Sequence, residues 1–195
     1  MKKVLTIIIL IFIFQAPSKA DKIRDFQIEG ISVGDSLLKH FPESEIKSFL
    51  NYDNLPSDMR YRIAEVEKNQ TTKLKTYDAL QFYYKPNDKN YILYAIGGLV
   101  ECNSHKECLN LKKEILKDVT TFFKIAKPQN YKFKHRDDKS EKSTVEASKI
   151  ITLEEGEVSV KYFNWSKNVT WEKNVRVSVL NNDVLKWVSN NYGAK

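Results

Sequence analysis

The sequence predicts an α+β fold, with an antiparallel sheet of about five or six strands, one long helix packed on a face of the sheet, and short helices near both ends. Segments of β-branched and aromatic residues bounded by turn formers recur along the chain, which is typical of antiparallel strands. One segment of about twenty residues instead repeats apolar residues every three or four positions, as an amphipathic helix does. Hydrophobic residues make up 42% of the chain and charged residues 29%, a balance typical of a folded domain rather than a disordered chain.

The first twenty residues have the organisation of a secretory signal peptide. Lys2 and Lys3 precede an apolar run at positions 4–14, and the small residues Ser18 and Ala20 stand where a signal peptidase cuts. The run is too short to cross a bilayer, which requires about 20 residues. We therefore expect cleavage after Ala20 and a single α+β domain over residues 21–195, located in the periplasm or secreted. Cleavage removes three lysines and no acid, which lowers the formal charge from +7 to +4.

The start of the mature chain is predicted to form a strand, a turn and a short helix. Residues 25–29 alternate apolar and polar side chains before a glycine, and the helical pattern that follows places Leu37 and Phe41 on one side. Asp35 or Ser36 is the expected N-cap, because a short side-chain oxygen there accepts from the free amides of the first turn.

Three strands are predicted in the next part of the chain, at residues 61–66, 78–84 and 91–100. The last two are rich in aromatic and branched residues, and the connector at 85–90 contains Pro, Asn and Asp. This combination predicts a β-hairpin.

The strongest single element is a helix over residues 104–123. Ser104 and Glu107 have the spacing of a capping box, in which the serine accepts from the amide of Glu107 and the glutamate reaches back. Cys102 and Cys108 are the only cysteines, and after export this pair is expected to form a disulfide that fixes how the chain enters the helix. The apolar residues of the helix follow steps of three or four and so share one face: Cys108, Leu111, Ile115, Val119 and Phe122.

Residues 124–149 are predicted to form a long charged loop, because the run at 132–142 is charged and aliphatic residues are few. Strands are expected after it at 150–153, 158–163 and 174–180, as an antiparallel meander. A closing helix follows, with Asn182 or Asp183 as its cap. Alternation within the last two strands directs six residues to the core: Val158, Val160, Tyr162, Val175, Val177 and Val179.

No motif in the sequence specifies one reaction. There is no Gly-x-Ser-x-Gly nucleophile motif and no glycine-rich phosphate loop. Cys102, His105 and Cys108 offer three zinc ligands as an alternative to the disulfide. The disulfide is favoured, because no Cys-x-x-Cys pair and no second ligand cluster are present. We therefore expect no catalytic residue, no metal and no cofactor.

Two groups of residues are candidates for ligand binding. Tyr131, Phe133 and Arg136 lie in the charged segment, where rings and cations together suit flat or anionic ligands; a solvated loop is the alternative interpretation. Trp165 and Trp171 lie in the connection between the last two strands, where exposed tryptophans suit a sugar or a partner protein. Packing beneath the long loop is the competing interpretation of the tryptophans.

The opening of the mature chain, Phe-Gln-Ile-Glu-Gly-Ile-Ser-Val-Gly-Asp-Ser-Leu-Leu at positions 26–38, resembles that of small exported bacterial proteins with no assigned activity. It is also similar to small envelope lipoproteins of the outer-membrane assembly type, in which a strand and a glycine-containing turn lead into a helix. This chain differs from the lipoproteins because no cysteine follows the signal to take a lipid. The resemblance implies export and assigns no functional residue.

These observations predict a non-enzymatic binding or interaction module of the bacterial envelope. A secreted hydrolase, with a site assembled from scattered acidic residues, is the alternative, and a structural envelope component is a third class. The expected partner is an envelope protein or an anionic surface. Nucleic acid is not expected as a partner of an exported chain, and no transmembrane helix is expected after the signal is removed.

Overall fold

The computed structural model describes residues 23–52, 59–124, 127–135, 138–152 and 155–192; the expected signal peptide lies outside them. The α+β class and the antiparallel sheet are confirmed, but the expected count of five or six strands is wrong, because the described residues form eight. The strands are β1 (Leu50–Asn51), β2 (Arg62–Glu67), β3 (Ala79–Tyr84), β4 (Leu93–Glu101), β5 (Gln129–Lys134), β6 (Thr144–Thr152), β7 (Gly156–Asn164) and β8 (Asn174–Asn181). The helices are α1 (Glu43–Ser48), α2 (His105–Phe123) and α3 (Asn182–Tyr192).

All eight strands belong to one sheet, in the order β1-β2-β3-β4-β8-β7-β6-β5. Strands β1 to β4 form one meander and β5 to β8 form a second, and the two join where β4 pairs with β8. The predicted hairpin is β3 and β4, which pair antiparallel. Every pairing in the sheet is antiparallel, so alternate residues of each strand point to opposite faces.

One face of the sheet packs beneath α2 and carries the main core. Helix α2 contacts β7 and β8, and its buried Cys108, Val119 and Phe123 belong to the same apolar cluster as the strand residues. The six residues that the alternation of the last two strands directed to the core are all fully buried there. We call this side of the sheet the helix face.

The entry to α2 is held by a hydrogen-bonded cap and a disulfide. Ser104 Oγ accepts from the amide of Glu107 at 3.2 Å, as the capping box predicts. The Glu107 carboxylate accepts from the amide of Asn103 at 3.0 Å, one residue earlier than the expected partner. The predicted disulfide between Cys102 and Cys108 is confirmed, with Cα atoms 5.5 Å apart, and it links the end of β4 to the first turn of α2.

The start of the chain differs from the predicted strand at residues 25–29. Ile23–Asp25 is a short 3-10 helix, and Ile28 and Ile31 form an isolated bridge around a tight turn. Glu29 and Gly30 both have positive φ, 53° and 79°, which reverses the chain where the strand was expected to end. The expected cap is confirmed as Ser36, whose hydroxyl accepts from the amide of Leu38 at 3.2 Å.

The predicted loop at residues 124–149 is wrong at 129–134 and at 144–149, because β5 and the first six residues of β6 occupy those positions. Strand β5 pairs with β6 only and forms one edge of the sheet. All six of its residues are exposed, so the strand has no buried side to produce an aliphatic stripe in the sequence. Lysines at an edge also discourage pairing with another chain.

Helix α3 covers one end of the opposite face. Its Val184 and Trp187 form a second apolar cluster with Tyr61, Ala95 and Leu180. The cap of α3 is Asn181, whose Oδ1 accepts from the amide of Val184 at 2.9 Å, rather than the expected Asn182 or Asp183. In the part of the chain that the structure describes, none of the helices has both the length and the apolar character needed to span a membrane.

A candidate ligand-binding groove

The part of the opposite face that α3 leaves uncovered carries polar residues in the middle of the sheet. We call this side the groove face. The strand register places Glu65 opposite Gln81, Gln81 opposite Gly97, and Gly97 opposite Ser178. In the neighbouring row, Leu99 lies opposite Arg176. Small residues at the centre and long polar residues on either side give this face a concave surface.

Four side chains form a continuous hydrogen-bonded network, which we call the polar floor: Tyr52, Glu65, Gln81 and Arg176. The hydroxyl of Tyr52 donates to Glu65 Oε2 at 2.7 Å, and Gln81 Nε2 donates to the same oxygen at 2.6 Å. Arg176 Nη1 donates to Gln81 Oε1 at 2.8 Å. Burial, and next the carboxylate of Glu65, raise the pKa of Tyr52, so its hydroxyl remains a donor well above neutral pH.

Four rings form an aromatic wall beside the polar floor: His135, Phe163, Trp165 and Trp171. Trp165 is central, with centroid distances of 4.4 Å to His135, 5.6 Å to Phe163 and 4.7 Å to Trp171. The guanidinium carbon of Arg176 lies 5.1 Å from the Phe163 ring centroid, so a cation–π contact joins the wall to the floor. Trp165 is 9% exposed, whereas Trp171 is 55% exposed.

A buried carboxylate fixes the position of the aromatic wall. Asp138 accepts from the amide and hydroxyl of both Ser140 and Ser143, and from the hydroxyl of Ser166 at 2.9 Å. The hydrogen bonds from Ser140, then those from Ser143 and Ser166, hold the pKa of Asp138 well below its usual range. Because Ser166 follows Trp165 directly, this network ties the β5–β6 turn to the segment that carries the wall.

The polar floor and the aromatic wall line a groove with a volume of about 760 Å³, which is within the usual size of small-ligand sites. Three buried polar atoms of groove-lining side chains have no hydrogen-bond partner within the described part of the chain: Asn174 Oδ1, Trp165 Nε1 and Arg176 Nε. Buried polar groups in native proteins almost always have a partner. The lining of the groove therefore includes two donors and one acceptor that lack a partner and have almost no accessible surface.

Four carboxylates stand along the end of the groove and form what we call the acidic rim: Glu67, Asp78, Glu101 and Glu172. They influence one another, because partial burial first, and then Asp78, Glu172 and Glu67, raise the pKa of Glu101. Asp78 also accepts from the backbone amide of Glu101 at 2.9 Å. With Glu65, the described lining of the groove has five carboxylates against the two cationic side chains of Lys68 and Arg176.

The candidate residues from the sequence are only partly brought together. Trp165 and Trp171 both line the groove. Tyr131 and Phe133 point to the same side of the sheet but lie on the edge strand β5, 47% and 48% exposed, and do not line the groove. Arg136 lies outside the described residues.

The zinc alternative at the start of α2 conflicts with the structure. It requires Cys102 and Cys108 as thiolates, but the two sulfur atoms are bonded to each other. His105 instead contacts the hydroxyl of Tyr162 through Nδ1 at 2.9 Å. Among the described residues, no three histidine, cysteine or carboxylate side chains are arranged to hold a metal ion.

Sequence reasoning missed the polar floor and the acidic rim. A signal was present, because Glu65, Gln81 and Arg176 are long polar residues inside segments predicted as strands. On one face of a sheet such residues are either solvated or part of a site, and the strand order decides which of them meet. The order joins β3 to β8 through β4, which no local pattern encodes.

The groove combines aromatic rings, carboxylates and unpartnered polar atoms. Aromatic rings can stack on flat or cationic groups, and the unpartnered atoms can orient a ligand by hydrogen bonds. Comparison of the chain with models of known protein families, with curated proteins and with solved structures found no match.

Proposed function

We propose that this chain is an exported, non-enzymatic binding protein of the bacterial envelope, and that its ligand occupies the groove. The observation that supports this most strongly is the combination of an exposed Trp171 with three unpartnered buried polar atoms in the same concave surface. A ligand that pairs those atoms removes a desolvation cost of about 1–3 kcal/mol for each group.

The hydrogen bonds of the groove favour binding over hydrolysis. Glu65 is the carboxylate of the polar floor, and Tyr52 and Gln81 both donate to it. A carboxylate held in this way is committed to orienting its neighbours. The network keeps the floor rigid, which reduces the entropy lost when a ligand binds.

A secreted hydrolase is the second candidate, favoured by one observation. Glu101 lies among three other carboxylates and its pKa is raised, which is the direction that a general acid requires. The test is turnover of glycoside and peptide libraries by the wild type and by Glu101→Gln. Product formation that the substitution abolishes would replace binding with hydrolysis as the function of the groove.

Export is supported by the signal-like N terminus and by the disulfide, because disulfides persist mainly in oxidising compartments. N-terminal sequencing of the protein from its native host should begin at Asp21. Intact mass should not change on alkylation without reduction. A chain that begins at Met1 with two free thiols would exclude an exported protein.

The binding proposal is tested by oxidation of tryptophan. Of the three tryptophans, Trp171 is exposed, while Trp165 and Trp187 are buried, so mild N-bromosuccinimide should modify Trp171 selectively. We expect fractions of envelope extract to protect Trp171, as measured by peptide mapping. Components of the same fractions should bind to the immobilised wild type and should not bind to immobilised Trp171→Ala. Phe133→Ala is the matched control, because Phe133 is a similarly exposed ring outside the groove.

Unprotected Trp171 and equal retention by wild type and Trp171→Ala across all fractions would contradict the proposal. Far-UV circular dichroism and the thermal midpoint of each variant show whether the fold is retained. Truncation of a side chain that is 55% exposed should leave both close to the wild-type values.

A further inference from the structure

We infer that the groove binds a cationic segment of polypeptide, with a lysine or arginine side chain held between the aromatic wall and the acidic rim. This inference rests on the proposed function and adds the class of ligand. It depends on the charge of the groove, on its buried unpartnered atoms and on its exposed ring.

The charge of the groove is opposite to that of the chain. The whole sequence has a formal charge of +7, whereas the described residues that line the groove include five carboxylates and two cationic side chains. Arg176 and Glu65 belong to the polar floor and are linked through Gln81. The excess of negative charge therefore lies in the acidic rim, and Lys68 is its only cationic neighbour among the described residues of the groove lining.

Lys68 does not neutralise the acidic rim through a direct bond. Its Nζ donates to the backbone carbonyl of Lys75 at 3.1 Å. Burial, and then repulsion from three neighbouring carboxylates, raises the pKa of Glu101; these neighbours are Asp78, Glu172 and Glu67. A ligand cation placed here would relieve this repulsion, and the low-dielectric sheet beneath it would strengthen the attraction.

Two nearly fully buried side chains provide independent evidence for a ligand beside the rim. Asn174 is 5% exposed and its Oδ1 has no partner, and the strand register places it opposite Glu101. Trp165 Nε1 is also without a partner. The free acceptor of Asn174 suits an N–H donor, and the free donor of Trp165 suits a carbonyl. Peptide bonds supply both groups.

The aromatic wall favours a cationic side chain for the same position. Trp171 presents an exposed ring, and the next residue is Glu172 of the acidic rim. Tryptophan is the best aromatic partner for a cation, and a guanidinium stacks on it while it pairs with carboxylates. The wall already holds one guanidinium against an aromatic ring, that of Arg176 over Phe163.

The test is calorimetric titration of the purified protein with two peptides, acetyl-Gly-Arg-Gly-Arg-Gly-amide and the same peptide with citrulline in place of both arginines. Citrulline keeps the planar shape of arginine but has no charge, because a carbonyl oxygen replaces one guanidinium nitrogen. We expect the arginine peptide to bind on the order of tenfold more tightly. We also expect its affinity to fall as NaCl is raised from about 50 to 300 mM, a comparison that needs no variant.

Three variants locate the binding. The affinity for the arginine peptide should fall by about tenfold in the double variant Glu101→Gln with Glu172→Gln. It should fall by a similar factor in Trp171→Ala. Glu43→Gln is the matched charge control, because Glu43 is an exposed carboxylate paired with Lys47 on α1, outside the groove. Its affinity should equal that of the wild type.

The outcomes separate this inference from the proposed function. Cellopentaose, an uncharged sugar, is titrated as a third probe. Equal affinity for the two peptides would overturn the inference of a cationic ligand and leave a binding groove. Tighter binding of cellopentaose, with no effect of salt or of the glutamine substitutions, would do the same. Failure of all three probes while extract still protects Trp171 would also overturn the inference alone. Failure of the probes together with no protection by extract would overturn both.

Discussion

Arg176 on β8 reaches across the whole of β4 to Gln81 on β3, where its Nη1 donates to Gln81 Oε1 at 2.8 Å. The strand between them presents Gly97 at the crossing, directly opposite Gln81. A Cβ added at Gly97 would lie 3.9 Å from Arg176 Cδ and 3.3 Å from Ser178 Oγ. The absence of a side chain at one position of β4 thus allows two non-adjacent strands to share a polar network.

Gly97→Val should break that crossing. The two methyl groups of valine extend beyond the Cβ into the space that the Arg176 side chain uses, and overpacking of this kind costs about 1–3 kcal/mol. Urea unfolding should show the loss, and Trp171 should be oxidised at a changed rate because Arg176 contacts the wall. Gly97→Ala is the matched control with a smaller effect, since its Cβ makes only an ordinary contact with Arg176. A valine variant as stable as the wild type would contradict this account.

Gly98→Ala should destabilise the helix face. A Cβ at Gly98 would lie 2.5 Å from Tyr77 Cδ1 and 2.9 Å from Ile28 Cγ2, so the tyrosine ring must move. We expect a loss of about 1–3 kcal/mol in the free energy of unfolding. In a Tyr77→Ala background the same substitution should cost much less, because the clashing ring is gone. Equal costs in the two backgrounds would show that the ring is not the obstacle.

Tyr77 should make stability fall in alkali. Burial first, and then the carboxylates of Glu29 and Asp118, raise the pKa of Tyr77 to about 12. A tyrosine with a raised folded-state pKa contributes stability below its unfolded pKa of about 10, and this is lost as pH rises toward 12. Between pH 9 and 11 the wild type should lose about 1 kcal/mol more than Tyr77→Phe in denaturant unfolding. Parallel losses in the two proteins would contradict the prediction.

Asp138 should give the aromatic wall an acid-sensitive support. Because its folded-state pKa is depressed, its contribution is present above the unfolded pKa and is lost as pH falls below about 4. Asp138→Asn should be less stable than the wild type at pH 6, and the difference should shrink at pH 2–3. The variant should also expose Trp165 to oxidation at pH 6, since the single amide oxygen of asparagine cannot accept from Ser140, Ser143 and Ser166 as the two carboxylate oxygens do. A Trp165 that stays protected would indicate that other contacts hold the wall.

Removal of the disulfide should cost about 2 kcal/mol, the chain-entropy value for a short loop. The double substitution of Cys102 and Cys108 by alanine and reduction of the wild type should shift the denaturant midpoint by similar amounts. Both sulfurs are buried, so reduction requires partial unfolding of the entry to α2. The groove should survive, because neither cysteine lines it, and the arginine peptide should bind the alanine variant with wild-type affinity.

Elements with a strong one-sided pattern were predictable from the sequence. Helix α2 ends at Phe123 as its apolar spacing indicates, and β7 and β8 bury the alternating residues assigned to the core. Strand β5 was missed because its exposure on both sides removes the contrast between apolar and polar positions. The strand predicted at 25–29 failed because Glu29 adopts a positive φ, which strand propensity does not anticipate.

The site was predictable only in its aromatic part. Trp165 and Trp171 stand out by residue type and both line the groove. The acidic rim could not be predicted, because Glu67, Asp78, Glu101 and Glu172 come from four separate parts of the chain. They meet only through the strand order and register. The contact between Gln81 and Arg176 could not be predicted for the same reason, because these residues are 95 positions apart in the sequence.

The pairing of β4 with β8 sets a condition on how this protein acquires its shape. Residues 95–101 find their partners at residues 174–180, so the middle of the sheet closes only after residue 180 has been synthesised. Such distant pairing is slow to form, and the unpaired borders of the two half-sheets are prone to aggregation in the meantime. Nascent chains of this protein should therefore depend on chaperones that keep them apart, and truncation before β8 should yield insoluble material rather than a smaller stable unit.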